Sequence, residues 1–418
     1  MPKTNGAVQP NKSKILNDPI YGFITIPNAL VYDLMEHPWF QRLRRITQLG
    51  LTYLVYPGAY HTRFHHALGA MHLMQRAVGI LRSKGHEITP EEEQGVYVAI
   101  LLHDIGHGPF SHALESTLIP KVSHEALSLK FMERLNEEFK GALNTAIAIF
   151  SDNYPKRFLH QLLSSQLDMD RLDYLRRDSF YTGVTEGAVN SERLLTMLNV
   201  HNDQLVIDAK GIYSVEKFIV ARRLMYWQVY LHKTVLSAEF MLVNVLNRAK
   251  QLAAQGKTLF ATSALQTFLQ RDFDWNDFEQ QPALLDEFAL LDDNDIMAAI
   301  KEWQKHPDRV LAALSSRLIN RRLLKIKLQN EPFEPAYLES VQAKIATALN
   351  YTYQEAGYFL IADHIANHAY DPQSDRINLL FKDGSINDIR EAADQLSISA
   401  LSHTVVRHFL CYPAEIRL

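Results

Sequence analysis

The stretch Leu101-Leu102-His103-Asp104-Ile105-Gly106-His107-Gly108 constrains this chain more than any other. An apolar run from Val96 to Leu102 meets two glycines and Pro109 within seven residues. Such a run reads as a helix, and glycine with proline ends one. Adjacent residues on a regular helix point to different faces. A helix that stops or distorts at His103-Asp104 lets an imidazole nitrogen and a carboxylate oxygen converge on one metal ion. A buried His-Asp pair that only hydrogen-bonds fits the same run. The pair by itself leaves both readings open.

Composition narrows the class. The 418 residues carry a net charge of −4 and a single cysteine, Cys411. One thiol makes no intrachain disulfide, which agrees with a reducing, cytoplasmic setting. The slightly acidic balance gives no basic field for nucleic acid as the main partner, though a local phosphate pocket remains open. Residues 1–13 are polar and read as a flexible tail, without the apolar core of a signal peptide. No apolar run approaches the ~18 residues of a spanning helix, so no membrane partner is expected.

The periodicity predicts a mainly α fold. Residues 15–28 read as a short hairpin or strand. Leu30, Leu34, Phe40, Leu43, Ile46 and Leu49 fit one or two amphipathic helices interrupted at Pro38. Helices are expected over about 64–83, 91–103, 123–139, 157–178, 190–199 and 214–252, with a short strand at 203–209. Residues 259–350 read as helical. Strands at 358–361 and 376–381, a turn at 382–385 and a helix over 386–396 suggest a small α+β C-terminal lobe. The division is a tail (1–13), a core (14–255), a helical extension (256–350) and that lobe (351–418).

Other acid and imidazole groups accompany the pair. His66 opens the helix at 64–83. On a helix Asp170, Asp173, Tyr174, Arg177 and Asp178 share one face, with Leu172 and Leu175 as an apolar strip beside it. The ordered series His66, His103, Asp104, Asp170 offers two imidazoles and two carboxylates. That set suits a divalent ion: Mn, Fe or Ni, or Mg or Zn. Four protein ligands on an octahedral ion leave room for water and substrate oxygens.

The series, together with Asn17-Asp18-Pro19-Ile20, Phe40-Gln41-Arg42-Leu43-Arg44, Gln48-Leu49-Gly50, Arg63-Phe64-x-His66, the run from His103 to His112, and Asp168-x-Asp170-Arg171-x-Asp173-Tyr174, resembles the HD-domain phosphohydrolases. The closer likeness is to the deoxynucleoside triphosphate triphosphohydrolase branch that includes the vertebrate SAM-and-HD-domain enzyme. It covers about Lys14 to Lys233 and, more weakly, the last 60 residues; no SAM domain is expected before the HD region, because the 13-residue tail is far too short for one. It implies a helical HD core with short β elements. It implies metal ligands His66, His103, Asp104 and Asp170, and His107, His112 and His124 near the phosphates, with Glu115 orienting His112. Arg63 is placed to reach the phosphates. Gln48 and Leu49 match the pair that reads the sugar edge, and Tyr174 packs under C2′. Arg171, Asp178, Arg222, Tyr226 and Tyr230 complete the substrate set. The vertebrate-type motif has histidine at Tyr226 and glutamine at Leu231, which bears on base choice.

Hydrolysis at an α-phosphate needs an activated water, charge neutralisation and a proton for the departing 5′-oxygen. A histidine with a reference pKa of ~6.5 serves as acid or base at neutral pH. The resemblance implies conversion of a dNTP to a deoxynucleoside and inorganic triphosphate. It also implies a guanine nucleotide (GTP or dGTP) activator at Lys14, Asn17, Glu36, Gln41 and Arg44, at a subunit junction of a homo-oligomer, a tetramer first. Glu36 stands where the vertebrate-type motif has aspartate. Two rival readings stay open: another HD phosphohydrolase (phosphodiesterase or nucleotide phosphatase), and a non-catalytic nucleotide-sensing or nucleic-acid-binding module.

Overall fold

The computed structural model describes residues 14–418 apart from 368–369, 371–375 and 394–403, and apart from the side chains of His112 and Ser116. The chain is mainly helical, with three small sheets. It opens with a hairpin, Ile15–Asp18 paired antiparallel to Gly22–Thr25, closed at Gly22 with φ +75°. The helix Ala29–Glu36 follows, its first turn capped by the Asn28 side chain on Val31 N. Pro38 then starts a short helix, as the break at that residue predicts.

Three long helices frame the centre. Arg63–Ser83 buries most of its residues, and Pro90–Leu102 is buried from Gly95 to its end. Thr89 and Glu92 close a capping box at the start of the second. The apolar run therefore lies inside the protein and stops at the expected place. Met169–Thr182 packs beside the first, capped by Asp168 and ended by Gly183 at φ +75°.

Several elements depart from the sequence expectations. The single helix over 157–178 is two, Arg157–Leu163 and Met169–Thr182. Between them the Asp168 carboxylate accepts from Ser165 N and Arg171 N, so the side chain takes the backbone donors that a continuous helix would use. The helix over 214–252 is also broken. Ile212–Met225 runs into a π-turn, Tyr226–Tyr230, and a new helix, Lys233–Ala254, begins with the His232 imidazole accepting from Thr234 N. Residues 259–350 contain a strand, Lys325–Gln329. Residues 357–359 form a 3-10 turn, and the strand starts at Ile361. Ile386–Asp388 is a strand before a four-residue helix, Ile389–Ala392, where one helix was expected; residues 394–396 of that expectation lie outside the described residues, as do residues 1–13.

Among the described residues, the last segment builds no sheet of its own. Its strand Asn378–Leu380 runs parallel to Gln204–Asp208, which pairs antiparallel with Leu198–His201. Its strand Val405–Tyr412 lies between Lys325–Gln329 and Ile361–Asn367. Cys411 is buried in that central strand.

Candidate metal centre and adjoining cavity

The turn after Leu102 sets the geometry. The Ser128 hydroxyl donates to His103 O and accepts from Gly106 N, so one side chain pins both ends of the turn. A Cβ on Gly106 would stand 2.2 Å from His124 O and 2.3 Å from Ser128 N; only glycine allows this approach. Phe110 then adopts φ 46°, ψ 52°, a strained value for a side chain of its size, and carries its ring into a cavity.

His66 is fully buried and its Nε2 lies 3.0 Å from Asp170 Oδ1, 3.4 Å from His103 Nε2 and 3.9 Å from Asp104 Oδ2. His103 Nε2 is 3.4 Å from Asp104 Oδ1 and 3.6 Å from Asp170 Oδ1. The far nitrogens fix the tautomers. His103 Nδ1 is 2.6 Å from the Ile100 carbonyl, and His66 Nδ1 is 2.8 Å from Asp173 Oδ2. Both therefore donate from Nδ1 and turn Nε2 inward. A divalent cation that displaces the proton from His66 Nε2 would meet two nitrogen lone pairs and the carboxylate oxygens around them, a set that satisfies it. The four residues of the ordered series are thus brought together as expected. Burial opposes charge on His66, but hydrogen bonds to Asp170 and Asp173 prevail and hold its pKa up at about 10. Burial likewise opposes the charge on Asp104, yet His103, His107 and Arg63 pull its carboxyl well below the usual carboxylate range.

Asp173, which sequence reasoning placed only on a face, is the outer partner of His66. It also pairs with Arg177, Nε to Oδ2 at 2.9 Å, and Arg177 reaches Asp18 at 2.7 Å. The i, i+4 spacing of Asp173 and Arg177 was the available signal. Their closeness leaves no room at Gly69, where a Cβ would meet Asp173 Oδ1 at 1.9 Å.

Beside the centre, Arg63 Nη1 donates to Asp104 Oδ2 at 2.7 Å. His107 Nδ1 lies 2.8 Å from Ser111 Oγ, whose hydroxyl donates to Gly108 O; its Nε2 lies 3.3 Å from Asp104 Oδ1. The His107 and His124 rings stack 3.8 Å apart. Burial and Arg63 drive the His107 pKa well down. Burial also disfavours charge on His124, but the Glu115 carboxylate, 2.9 Å from Nδ1, raises its pKa overall. Glu115 therefore orients His124, where the sequence reading gave it to His112; the helix starting at Ser123 brings His124 back over Glu115. The side chain of His112 lies outside the described residues.

A cavity of about 450 Å³ adjoins this group. Gln48, Leu49, Arg63, Tyr226 and Tyr230 line it, so five of the expected residues share one cavity. Gln48 Oε1 is buried with no hydrogen-bond partner among the described residues. Arg171, Tyr174, Asp178 and Arg222 are not among the cavity's lining residues. The Tyr174 ring lies 6.2 Å from that of Tyr230, and the Arg222 guanidinium 5.9 Å from the Tyr226 ring. Arg171 is tied to Asp168 at 3.2 Å and to Ser165 O. Asp178 departs from its expected role. It is buried with both oxygens engaged, one by His61 Nε2 and one by the Tyr230 hydroxyl, each at 2.7 Å, so it positions Tyr230. His61 went unnoticed in the sequence.

The expected nucleotide cluster lies at the surface. Lys14, Asn17, Glu36 and Arg44 are exposed. Gln41 Oε1 accepts from Arg44 Nε at 2.8 Å, and Lys14 Nζ sits over the Tyr32 ring.

Comparison with known proteins agrees with this geometry. Residues 63–178 match the HD domain, and residues 189–272 the HD associated region. The chain is 32% identical to the uncharacterized Bacillus subtilis protein YwfO across 97% of this chain and 93% of that one. It belongs to the HD-domain phosphohydrolases. The HD pair that names the family is His103-Asp104, and it sits inside the matched span. A solved Bacteroides thetaiotaomicron phosphohydrolase superposes with a TM-score of 0.93 at 54% identity, covering 96% of this chain and all of that one. The Dictyostelium discoideum deoxynucleoside triphosphate triphosphohydrolase SAMHD1 homolog is 33% identical over 57% of this chain. The chain spans about half the length of that relative. Among the described residues, no single helix is long and apolar enough to cross a membrane.

Proposed function

We propose that this HD phosphohydrolase is a dNTP triphosphohydrolase, releasing a deoxynucleoside and inorganic triphosphate. The observation that carries the reading is the cavity lining: the unpartnered Gln48 Oε1, the apolar Leu49 and the Arg63 guanidinium line one cavity, and Arg63 ties it to Asp104 of the His-Asp cluster. The SAMHD1 relatives, named for this reaction, add support.

His66, His103, Asp104 and Asp170 would hold the ion. A bound divalent ion supplies Lewis acidity, polarising a phosphoryl oxygen and acidifying the attacking water. The protein does the rest. Arg63, anchored on Asp104, neutralises charge growing on the phosphate oxygens. The bond between the α-phosphorus and the 5′-oxygen breaks, and the leaving oxygen needs a proton. His124, whose charged form the Glu115 carboxylate favours, donates it from Nε2, which lies 3.2 Å from the exposed Glu125 carboxylate. His107, whose pKa is driven down, stacks on His124 as a neutral ring and positions it. The Gln48 Oε1 accepts from a 3′-hydroxyl, and Leu49 sits where a 2′-hydroxyl would find no partner.

The same reading includes control by GTP or dGTP. Lys14 and Arg44 pair with phosphates, Glu36 accepts from guanine N–H groups, and Asn17 and Gln41 complete a site between subunits of a cytoplasmic homo-oligomer, a tetramer first. One experiment tests the whole. The metal-loaded protein is incubated with each dNTP and NTP, with and without GTP or dGTP, and products are separated by ion-exchange chromatography. Triphosphate from dNTPs is expected; phosphate or pyrophosphate instead would establish another phosphohydrolase activity, and no product would leave a sensing module.

A further inference from the structure

Glu239, in the middle of the helix Lys233–Ala254, lines the same cavity as Gln48, Arg63 and Tyr226. No sequence motif marked it, and no step above uses it. Its Oε1 lies 3.9 Å from the point where a Cβ on Gly50 would stand, two residues from Gln48. Gly50, at φ +49°, leaves that approach open, and the Phe110 ring reaches within 3.7 Å of the same point. No hydrogen bond or ion pair reaches the Glu239 carboxyl among the described residues. Its neighbours on the wall are largely apolar: Phe110, Leu236, Phe240 and Ile365. Burial alone pushes its pKa up to about 7. A carboxylate left without donors in such a place is costly. A fold keeps one at no stability advantage where a ligand supplies the missing donors.

The rings around it narrow the ligand. Aromatic side chains on the cavity wall offer planar faces to a planar heterocycle. A carboxylate has two oxygens that accept side by side, so it matches two parallel N–H groups. Among the nucleobases, guanine alone places a ring N–H beside an exocyclic amino group on one edge. Guanine's two donors favour the ionised carboxyl, and that ionised form is repelled by adenine and cytosine, which put a ring nitrogen lone pair next to the amino group. Thymine puts its ring N–H between two carbonyls, which repel both.

We propose that Glu239 is a base-reading residue that makes the substrate cavity favour guanine over thymine. The inference rests on the dNTP reading of the cavity and names the specificity within it. A bidentate carboxylate contact discriminates by about tenfold or more. The test compares dGTP and dTTP on the metal-loaded full chain, for the natural protein and for Glu239→Gln, which keeps the side-chain shape and replaces one acceptor with a donor.

The natural protein should show a kcat/KM at least tenfold higher for dGTP, carried mainly by KM. Glu239→Gln should lower that ratio about tenfold by raising the dGTP KM. Glu239→Asp, which keeps the charge but withdraws it by one methylene, should lower it too. Calorimetric binding of the two triphosphates, which needs no turnover, should give the same change in ratio. A natural preference for dTTP, or a ratio that both variants leave within twofold, overturns the inference. If no dNTP yields inorganic triphosphate while calorimetry still shows the Glu239-dependent guanine preference, the hydrolase reading fails and the base-reading assignment stands.

Discussion

Gly69→Ala tests the metal centre with one methyl group placed outside it. Gly69 lies in the helix Arg63–Ser83, one turn beyond His66. A Cβ there would meet Asp173 Oδ1 at 1.9 Å, Arg177 Nη2 at 2.2 Å and Asp173 Cγ at 2.7 Å. Ordinary contact begins near 3.4 Å, so the carboxylate must withdraw by about 1.5 Å. Its other oxygen holds His66 Nδ1 at 2.8 Å, and such a shift breaks that bond. Helix propensity argues the other way, since alanine is favoured over glycine by about 1 kcal/mol. Overpacking costs about 1–3 kcal/mol, and disturbing the buried Asp173–Arg177 pair about 3–5 kcal/mol more, so the steric term wins. Loss of the outer partner of a metal-binding imidazole lowers affinity about 10–100-fold, or about 1.4–2.7 kcal/mol. The assay is chelator competition followed by elemental analysis, with thermal unfolding alongside. Gly79→Ala, on the same helix with nothing within 4 Å of its added carbon, is the control and should be neutral or stabilising. Gly69→Ala protein that binds metal within twofold of the natural affinity and melts no lower would refute the claim that Asp173 sets the His66 ring.

Other perturbations probe the remaining parts. Asp104→Ala and His66→Ala should each remove bound metal and hydrolysis together while circular dichroism keeps the helical signal; full activity in metal-free Asp104→Ala protein would sink the ligand assignment. The alkaline limb of the rate profile should follow His124. Its pKa is raised, so activity persists above the reference ~6.5 and falls as pH rises through the raised value. Glu115→Gln removes the main raising group and should move that limb to lower pH; an unmoved limb would exclude His124 as the proton donor. The natural protein should hydrolyse dATP much faster than ATP, and Tyr174→Ala should narrow the ratio; equal rates in the natural protein would refute the sugar-edge reading. Glu36→Ala and Arg44→Ala should abolish any response to GTP or dGTP, in rate and in sedimentation, without loss of metal.

The parts of the fold that local chemistry dictates could be read directly. The hairpin within residues 15–28, the helix break at Pro38 and the stop after Leu102 each follow from residues within a few positions. The metal series was legible because its members are chemically distinctive and ordered along the chain. What escaped depended on partners distant in sequence. Nothing near Asp173 says that its carboxylate meets His66 as well as Arg177. Nothing near Asp178 says that His61 and Tyr230 occupy both its oxygens. Periodicity also misled where side chains compete for the backbone, at Asp168 and His232, since each interrupts an apolar pattern without changing it. Glu239 illustrates the limit: a lone acid on an amphipathic helix reads as a solvated residue until the cavity around it is seen.

Ile365 gives the cavity an order in time. The four candidate metal-binding residues are all made by position 170, and the cavity wall is closed by a residue about 195 positions later. At about 5–20 residues per second, roughly ten to forty seconds of synthesis separate the two. During that interval a nascent chain holds the four candidate ligands without the part of the cavity lining that Ile365 supplies. Ile365 sits on a strand whose central neighbour, Val405–Tyr412, ends six residues before Leu418. The lining that Ile365 contributes is thereby tied to a strand pairing made late in the sequence, between Ile361–Asn367 and Val405–Tyr412.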